Sequence, residues 1–344
     1  MQTFNKTIVE ATKLPKIVRL TNNLYCASFN LMKLLPAKYI LMKAQNEGII
    51  SRNSTIVETS SGTFGLGLAI VCALEGYNLI LVSDPAIDEP LKRRLQELGA
   101  HVEILEKPSE TAGYQGARLE RLHEILDSNP DFYWPSQYDN PWNADSYAQV
   151  SELIAETIGE IDIIVGPVGS GGSMCGTTKY LRHLFPDLKA VGVDTYGSVL
   201  FGQKDQKRLL RGLGNSIMPK NLDHTIFDDV HWVKEDEAFC YTRILHKIHA
   251  LYMGATSGAA YMVANWYASH NPDSKIVVMF PDEGYRYQST VYNDKWLQDK
   301  GIYVSNVFYP PRFVSHPSHA TSQWSAIHWE RRTLEQVTGL NICV

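Results

Sequence analysis

Ile161-Asp162-Ile163-Ile164-Val165 runs directly into Gly166-Pro167-Val168-Gly169-Ser170-Gly171-Gly172-Ser173, and the chain continues through Met174 to Leu184. The β-branched apolar run reads as a strand, and the segment after the small residues reads as a helix. A glycine- and serine-rich turn between them sets several backbone N–H groups beside the positive end of a helix dipole. That arrangement suits a phosphate group. The same glycines would also serve a bare turn that needs only their backbone angles. The loop alone leaves both readings open, and its surroundings decide.

The pattern repeats upstream. Thr55-Ile56-Val57-Glu58 is a short β-rich run, followed by small residues and an apolar helix from Gly65 to Glu75 that Gly76 ends. Asn78–Val82 is the next strand, Asp84-Pro85 lead toward an amphipathic helix over Glu89–Leu98, and His101–Leu105 is a third strand. Downstream, Ala190–Val193 and Lys275–Phe280 read as further strands. Strands alternating with helices of this length need right-handed crossovers and a parallel sheet. The fold class is therefore α/β, and the loop-rich stretch 127–147 separates two such units. In open α/β sheets ligands bind beyond the carboxyl ends of the strands, where both Ser/Gly loops fall.

The bulk properties narrow the function. The chain has 344 residues, 44% hydrophobic and 20% charged, which describes an ordinary globular protein with room for two lobes. A formal net charge of −5 argues against a general nucleic-acid or membrane-surface binder. No apolar run approaches the roughly 20 residues of a bilayer span, and Met1–Lys6 carries no apolar export segment. Five widely spaced cysteines with no Cys-x-x-Cys predict neither a disulfide framework nor a zinc site, which fits a reducing cytoplasm. His246 and His249 stand three apart with no carboxylate at ligand spacing, so no metal is expected.

Four loops carry candidate chemistry. Glu58-Thr59-Ser60-Ser61-Gly62-Thr63-Phe64-Gly65 opens a helix, where hydroxyls and N–H groups suit a carboxylate or simply cap the helix. Gly169-Ser170-Gly171-Gly172-Ser173 is the phosphate loop. Trp134–Asn143 is a polar, aromatic connection that includes Gln137. Phe280-Pro281-Asp282-Glu283-Gly284-Tyr285-Arg286-Tyr287 follows a strand directly, so a side chain there can reach a ring held at the strand end.

In this order the four resemble the cysteine synthase and cystathionine β-synthase family. Its members show a Ser/Thr-Ser-Gly-Asn-x-Gly substrate loop, a Gly-x-Gly-Gly-Thr phosphate loop, a Gln-x-x-Asn-Pro segment and a Pro-x-Ser-Gly-x-Arg-Tyr end motif. Here these read Ser60–Gly65, Gly169–Ser173, Gln137–Pro141 and Pro281–Tyr287, while Gly254–Ala259 resembles the family's Gly-x-Ser-Ser-Gly-Ala turn. The resemblance covers roughly residues 15–300. It implies the tryptophan-synthase-β-like fold (fold type II), with pyridoxal 5'-phosphate in an inter-domain cleft. It also implies a homodimer acting on small amino-acid substrates. Ser198–Gly202 with Gly212–Ser216 further resembles a subgroup that includes the 2,3-diaminopropionate-pathway synthases, which act on O-activated serine.

The resemblance requires a Schiff-base lysine in an Asn-Pro-x-Gly-Ser-x-Lys-Asp-Arg segment. The matching stretch is Phe29–Tyr39, and counting back from Pro36-Ala37-Lys38-Tyr39 and from Gly48-Ile49-Ile50 lands on Lys33, with Lys38 and Lys43 as rivals. The roles implied are cofactor contacts for Lys33, Thr63, Gly169, Ser170, Gly171, Gly172, Ser173 and Glu283. Substrate contacts fall to Thr59, Ser60, Ser61, Gly62, Thr63 and Gln137. The implied domains are a smaller mobile one over 34–145 and a larger cofactor domain from 1–33 plus 146–302, followed by a C-terminal arm or lid over 303–344.

Three departures matter. Leu34-Leu35 replace the family's Asp-Arg, Thr63 replaces its asparagine, and Glu283 stands where a serine usually faces the pyridine nitrogen. A carboxylate there would keep that nitrogen protonated and hold a carbanion longer. The expected activity is β-replacement or β-elimination on O-acetylserine or O-phosphoserine, giving cysteine or another β-substituted alanine. The alternatives are γ-replacement or racemisation through Glu283, and a non-catalytic relative that binds a partner.

Overall fold

The computed structural model describes residues 4–109, 113–302 and 309–339. Along the chain come α1 (Ile8–Thr12), β1 (Lys16–Arg19), β2 (Leu24–Ser28), α2 (Leu34–Asn46), β3 (Thr55–Thr59), α3 (Thr63–Glu75), β4 (Asn78–Ser83), α4 (Glu89–Glu97) and β5 (His101–Ile104). Next are α5 (Gly113–Ser128), α6 (Trp142–Asp145), α7 (Ala148–Ile158), β6 (Ile163–Pro167), α8 (Gly172–Leu184), β7 (Lys189–Thr195) and β8 (Asp229–Val233). The last are α9 (Glu235–His249), α10 (Ala255–His270), β9 (Ile276–Phe280), α11 (Asp294–Asp299), β10 (Arg312–Phe313), β11 (Ser325–His328) and α12 (Leu334–Thr338). They form two compact units, Met1–Leu14 with Leu31–Ser146, and Pro15–Asn30 with Tyr147–Val344.

The smaller unit is built on the parallel sheet β3-β4-β5, with Thr55 opposite Asn78 and Ile80 opposite His101. Alternation along its strands sends side chains to two faces. Ile56, Leu79 and Leu81 join a core with Leu34, Ile40 and Leu68 of α2 and α3. Val57 and Val82 point the other way, onto Leu122 and Ile125 of α5. Gly76 closes α3 in the left-handed region at φ 78° and its N–H bonds to Cys72 O. Asp88 caps α4 through Leu91 N–H.

The larger unit holds an eight-stranded sheet in the order β1-β2-β9-β6-β7-β8-β11-β10 among the described residues. The strands from β2 to β8 pair in parallel, with β1 and β11 antiparallel at the flanks. β6 and β9 are buried along their whole length, as inner strands covered on both faces must be. In α10, a Cβ on Gly258 would lie 2.0 Å from Thr242 Oγ1 and 2.4 Å from Ala238 O, so only glycine lets α9 and α10 pack this closely.

The parallel-rich α/β architecture agrees with the sequence reading, and the boundaries of the units depart from it. The expected break followed residue 33, but the chain joins the smaller unit at residues 1–14 and again from 31 onward. Val9 is buried with Leu34 and Ile40, and Leu31–Lys33 lead into α2, which draws both pieces there. The stretch expected as a C-terminal arm supplies β10 and β11 to the larger sheet, while its residues 303–308 and 340–344 lie outside the described residues. β8 lacks a continuous apolar run because it buries Asp229 and His231 beside Val230, Trp232 and Val233. Lys189, Tyr267 and His328 satisfy Asp229, and Trp324 Nε1 donates to His231 Nδ1 at 3.0 Å.

Candidate active site

In the larger unit, β2, β9 and β6 are adjacent and parallel, with Ser28 opposite Phe280 and Val165 opposite Val278. Their carboxyl ends therefore deliver Asn30, Pro281-Asp282-Glu283 and Gly169–Ser173 to one edge of the sheet. That is where an open α/β sheet places its ligands. Gly171 caps α8 at φ 81°, and a Cβ there would lie 2.7 Å from Asn221 O and Leu222 Cα. Both the backbone angle and the space demand glycine. The loop opens the 13-residue helix α8, whose dipole favours an anion at its start. Ser170 and Ser173 are buried within it.

At the end of β9 the two neighbouring carboxylates part. Asp282 turns inward, where its Oδ2 accepts from Tyr287 OH at 2.7 Å and burial raises its carboxyl. A Cβ on Gly254 would meet its Oδ1 at 2.4 Å, so this glycine, which opens the turn into α10, makes room for it. Glu283 instead accepts from Asn30 Nδ2 at 2.9 Å, and its backbone N–H reaches Asn30 O. Asn30 thus fixes Glu283 from the neighbouring strand.

In the smaller unit Lys33 is the N-cap residue of α2. Its carbonyl accepts from Ala37 N–H, and a Cβ on Gly67 would come within 2.8 Å of that carbonyl oxygen, so α3 presses on the lysine backbone. Burial lowers the Lys33 ammonium from 10.5 to about 8. The positive end of the α2 dipole acts in the same direction. The rival Lys38 is committed to Glu75 in an ion pair.

Thr59, Ser60, Ser61, Gly62 and Thr63 connect β3 to α3. The Ser60 hydroxyl accepts from Gly62 N–H at 3.2 Å and Gly65 N–H at 3.0 Å, so it shapes the loop as a cap. Ser61 Oγ accepts from Arg118, whose guanidinium also pairs with Asp84 at 3.1 Å in a nearly buried ion pair. Gln137 is brought to this loop by Glu58, which has no role in the sequence reading. Buried Glu58 accepts from Thr59 N–H at 2.8 Å, Trp134 Nε1 at 3.0 Å and Gln137 N–H at 3.3 Å. Burial raises its carboxyl to about 7 against the pull of those donors and of Arg118. A charged residue inside a β-run was the available signal for Glu58. For Arg118 it was a position four and seven residues before the buried Leu122 and Ile125 of α5.

Each taken within its own unit, Lys33 and the 169–173 loop have the chemistry that pyridoxal phosphate needs. An amine acidified to about 8 is the kind that condenses with an aldehyde, and a loop whose Gly171 admits no side chain is the kind that wraps a phosphate.

The family model for pyridoxal-phosphate dependent enzymes matches residues 22–282. N-(2-amino-2-carboxyethyl)-L-glutamate synthase of Cupriavidus metallidurans is 35% identical over 268 residues, covering 76% of this chain and 79% of that protein. A solved O-acetylserine dependent cystathionine beta-synthase from Helicobacter pylori is 26% identical, with a TM-score of 0.78 over 85% of this chain and 100% of that one. A hydrogen sulfide-producing enzyme from Fusobacterium nucleatum shares the fold at 24% identity, with a TM-score of 0.77 over 83% of this chain and 100% of that one. The chain belongs to the pyridoxal-phosphate dependent enzymes, and within them to the cysteine synthase type.

Proposed function

We propose that the protein catalyses β-replacement on an O-activated L-serine. The Cβ–O bond breaks, acetate or phosphate leaves, and a nucleophile forms the new bond to Cβ. An amine nucleophile is supported by the Cupriavidus metallidurans relative, whose printed name joins a 2-amino-2-carboxyethyl group to L-glutamate. Lys33 and Gly169–Ser173 would hold pyridoxal phosphate, which would supply an electron sink next to the substrate's Cα. Lys33 takes the Cα proton and returns it. Thr59, Ser61, Gly62, Thr63 and Gln137 hold the substrate carboxylate, and Ser60 keeps their loop in shape. Glu283 holds a proton at the ring nitrogen. The single observation that carries this reading is the acidified Lys33 at the start of α2, an amine able to lose and regain a proton near neutral pH.

The test is mass spectrometry of products from holoprotein given O-acetyl- or O-phospho-L-serine with L-glutamate or sulfide. Consumption of a donor with a glutamate adduct is expected. Consumption only with sulfide would remove the amine, and consumption of neither donor would remove β-replacement. Proton exchange at Cα of L-alanine in heavy water, slowed by Glu283→Ser, is expected if that carboxylate protonates the ring. An unchanged rate contradicts it.

Assembly as a homodimer in the cytoplasm completes the proposal. The thiols of Cys26, Cys72 and Cys175 are free and buried, as a reducing compartment leaves them. No helix among the described residues is long and apolar enough to cross a membrane. Light scattering that gives the mass of one chain would rule out the dimer.

A further inference from the structure

The segments Ser198–Gly202 and Gly212–Ser216 stand apart in the sequence and touch no reacting group in the account above. In the structure they meet behind the phosphate loop, around a carboxylate at the end of β7. Asp194 is wholly buried. Its Oδ1 accepts from Thr195 N–H at 2.8 Å, the Ser198 hydroxyl donates to the carboxylate, and its Oδ2 is buried with no partner among the described residues. A buried carboxylate with one unsatisfied oxygen is costly to keep.

The hydrogen bonds lead from it to the loop. Ser198 Oγ accepts from Asn215 N–H at 3.1 Å and from Leu200 N–H at 3.3 Å. Asn215 Nδ2 donates to Gly169 O at 3.3 Å, while its Oδ1 accepts from Ser216 N–H at 2.9 Å. Packing enforces the same path. A Cβ on Gly214 would lie 2.7 Å from Ser198 Cβ and 2.9 Å from Asp194 Oδ1, and one on Gly169 would lie 3.1 Å from Gly212 O. Gly214 N–H also donates to Val168 O at 2.9 Å.

The last link has a direct electrostatic consequence. The carbonyl of Gly169 and the N–H of Ser170 share one planar trans peptide and point in opposite directions. Drawing the carbonyl to Asn215 turns the negative end of that dipole toward Asn215. The Ser170 N–H is then fixed facing away from it, as an anion cradle requires.

We propose that Asp194, Ser198 and Asn215 are positioning residues that set the phosphate-binding face of the 169–173 loop. Recognition of the cofactor's phosphate then depends on side chains that never contact it. The proposal rests on the reading that this loop holds that phosphate.

The test titrates the apoprotein with pyridoxal 5'-phosphate and, separately, with pyridoxal, which lacks the phosphate. It also records the ³¹P resonance of the bound cofactor. Wild-type protein is expected to prefer the phosphorylated form. Ser198→Ala and Asn215→Ala are expected to weaken pyridoxal phosphate about tenfold or more, to leave pyridoxal affinity unchanged, and to move the ³¹P resonance toward that of free cofactor. Asp194→Asn, which keeps the shape and the Thr195 contact, is expected to do the same to a smaller degree. It serves as the second variant should either alanine substitution unfold the protein. Equal losses for both ligands, or an undiminished preference with an unmoved resonance, would overturn the relay while leaving the loop's role intact. A wild-type protein that binds the two ligands equally would overturn the loop's role, and the relay with it.

Discussion

Glu58 shows how one side chain can hold a site together at a cost in stability. It ties Thr59, Trp134 and Gln137, yet burial raises its carboxyl from 4.5 to about 7. The folded state therefore holds a proton more tightly than the unfolded chain does. Its contribution to stability is fully present below pH about 4.5 and is lost as pH rises through about 7. The loss is on the order of 3 kcal/mol at most. Asp194, raised from 3.8 to about 7 by burial, adds a loss of the same sign in the same window. Urea denaturation across pH 4.5 to 8 is expected to show falling stability in the wild type and a shallower fall in Glu58→Gln. An equal slope in both would mean that Glu58 does not titrate as its burial requires.

At the scale of elements, much was legible because the strands and helices around the glycine-rich turns announced themselves locally. Ile163–Pro167 and Ile276–Phe280 are buried along their whole length, as inner parallel strands must be, and Gly76 and Gly171 mark helix ends by their backbone angles. Other features depended on contacts between distant segments. β8 sets Asp229 and His231 between Val230, Trp232 and Val233, and the burial of Asp229 makes sense only once Lys189, Tyr267 and His328 are seen around it. The duties of Ser198–Gly202 and Gly212–Ser216 appear only when both segments meet Asp194.

The pairing of α3 with α2 is likewise tertiary, and it yields a prediction. Gly67→Ala would push a methyl within 2.8 Å of the Lys33 carbonyl oxygen, a backbone atom that cannot swing aside. It is expected to destabilise the protein by about 1–3 kcal/mol and to reduce covalently retained cofactor, read from the absorbance after desalting. Full retention at wild-type stability would show that α3 does not set the position of Lys33.

For the whole molecule, the decisive fact is where the chain passes between its compact units. It leaves the smaller one after Leu14, re-enters at Leu31 and leaves again after Ser146. Lys33 lies just past the second passage, with the smaller unit, whereas Gly169–Ser173 and Glu283 belong to the larger. The sequence placed Lys33 by counting from two flanking segments. It assigned the residue to the larger unit, whereas the burial of Val9 and Leu34 in one core draws the chain from Leu31 onward into the smaller.

The whole account rests on Lys33 as the covalent anchor of the cofactor. Borohydride reduction of the purified holoprotein, followed by proteolysis and peptide mass spectrometry, reads this directly. The account predicts a single pyridoxyl label, on Lys33, and its disappearance in Lys33→Ala. A label on Lys38 or Lys43, or none on any lysine of a protein saturated with the cofactor, would contradict it.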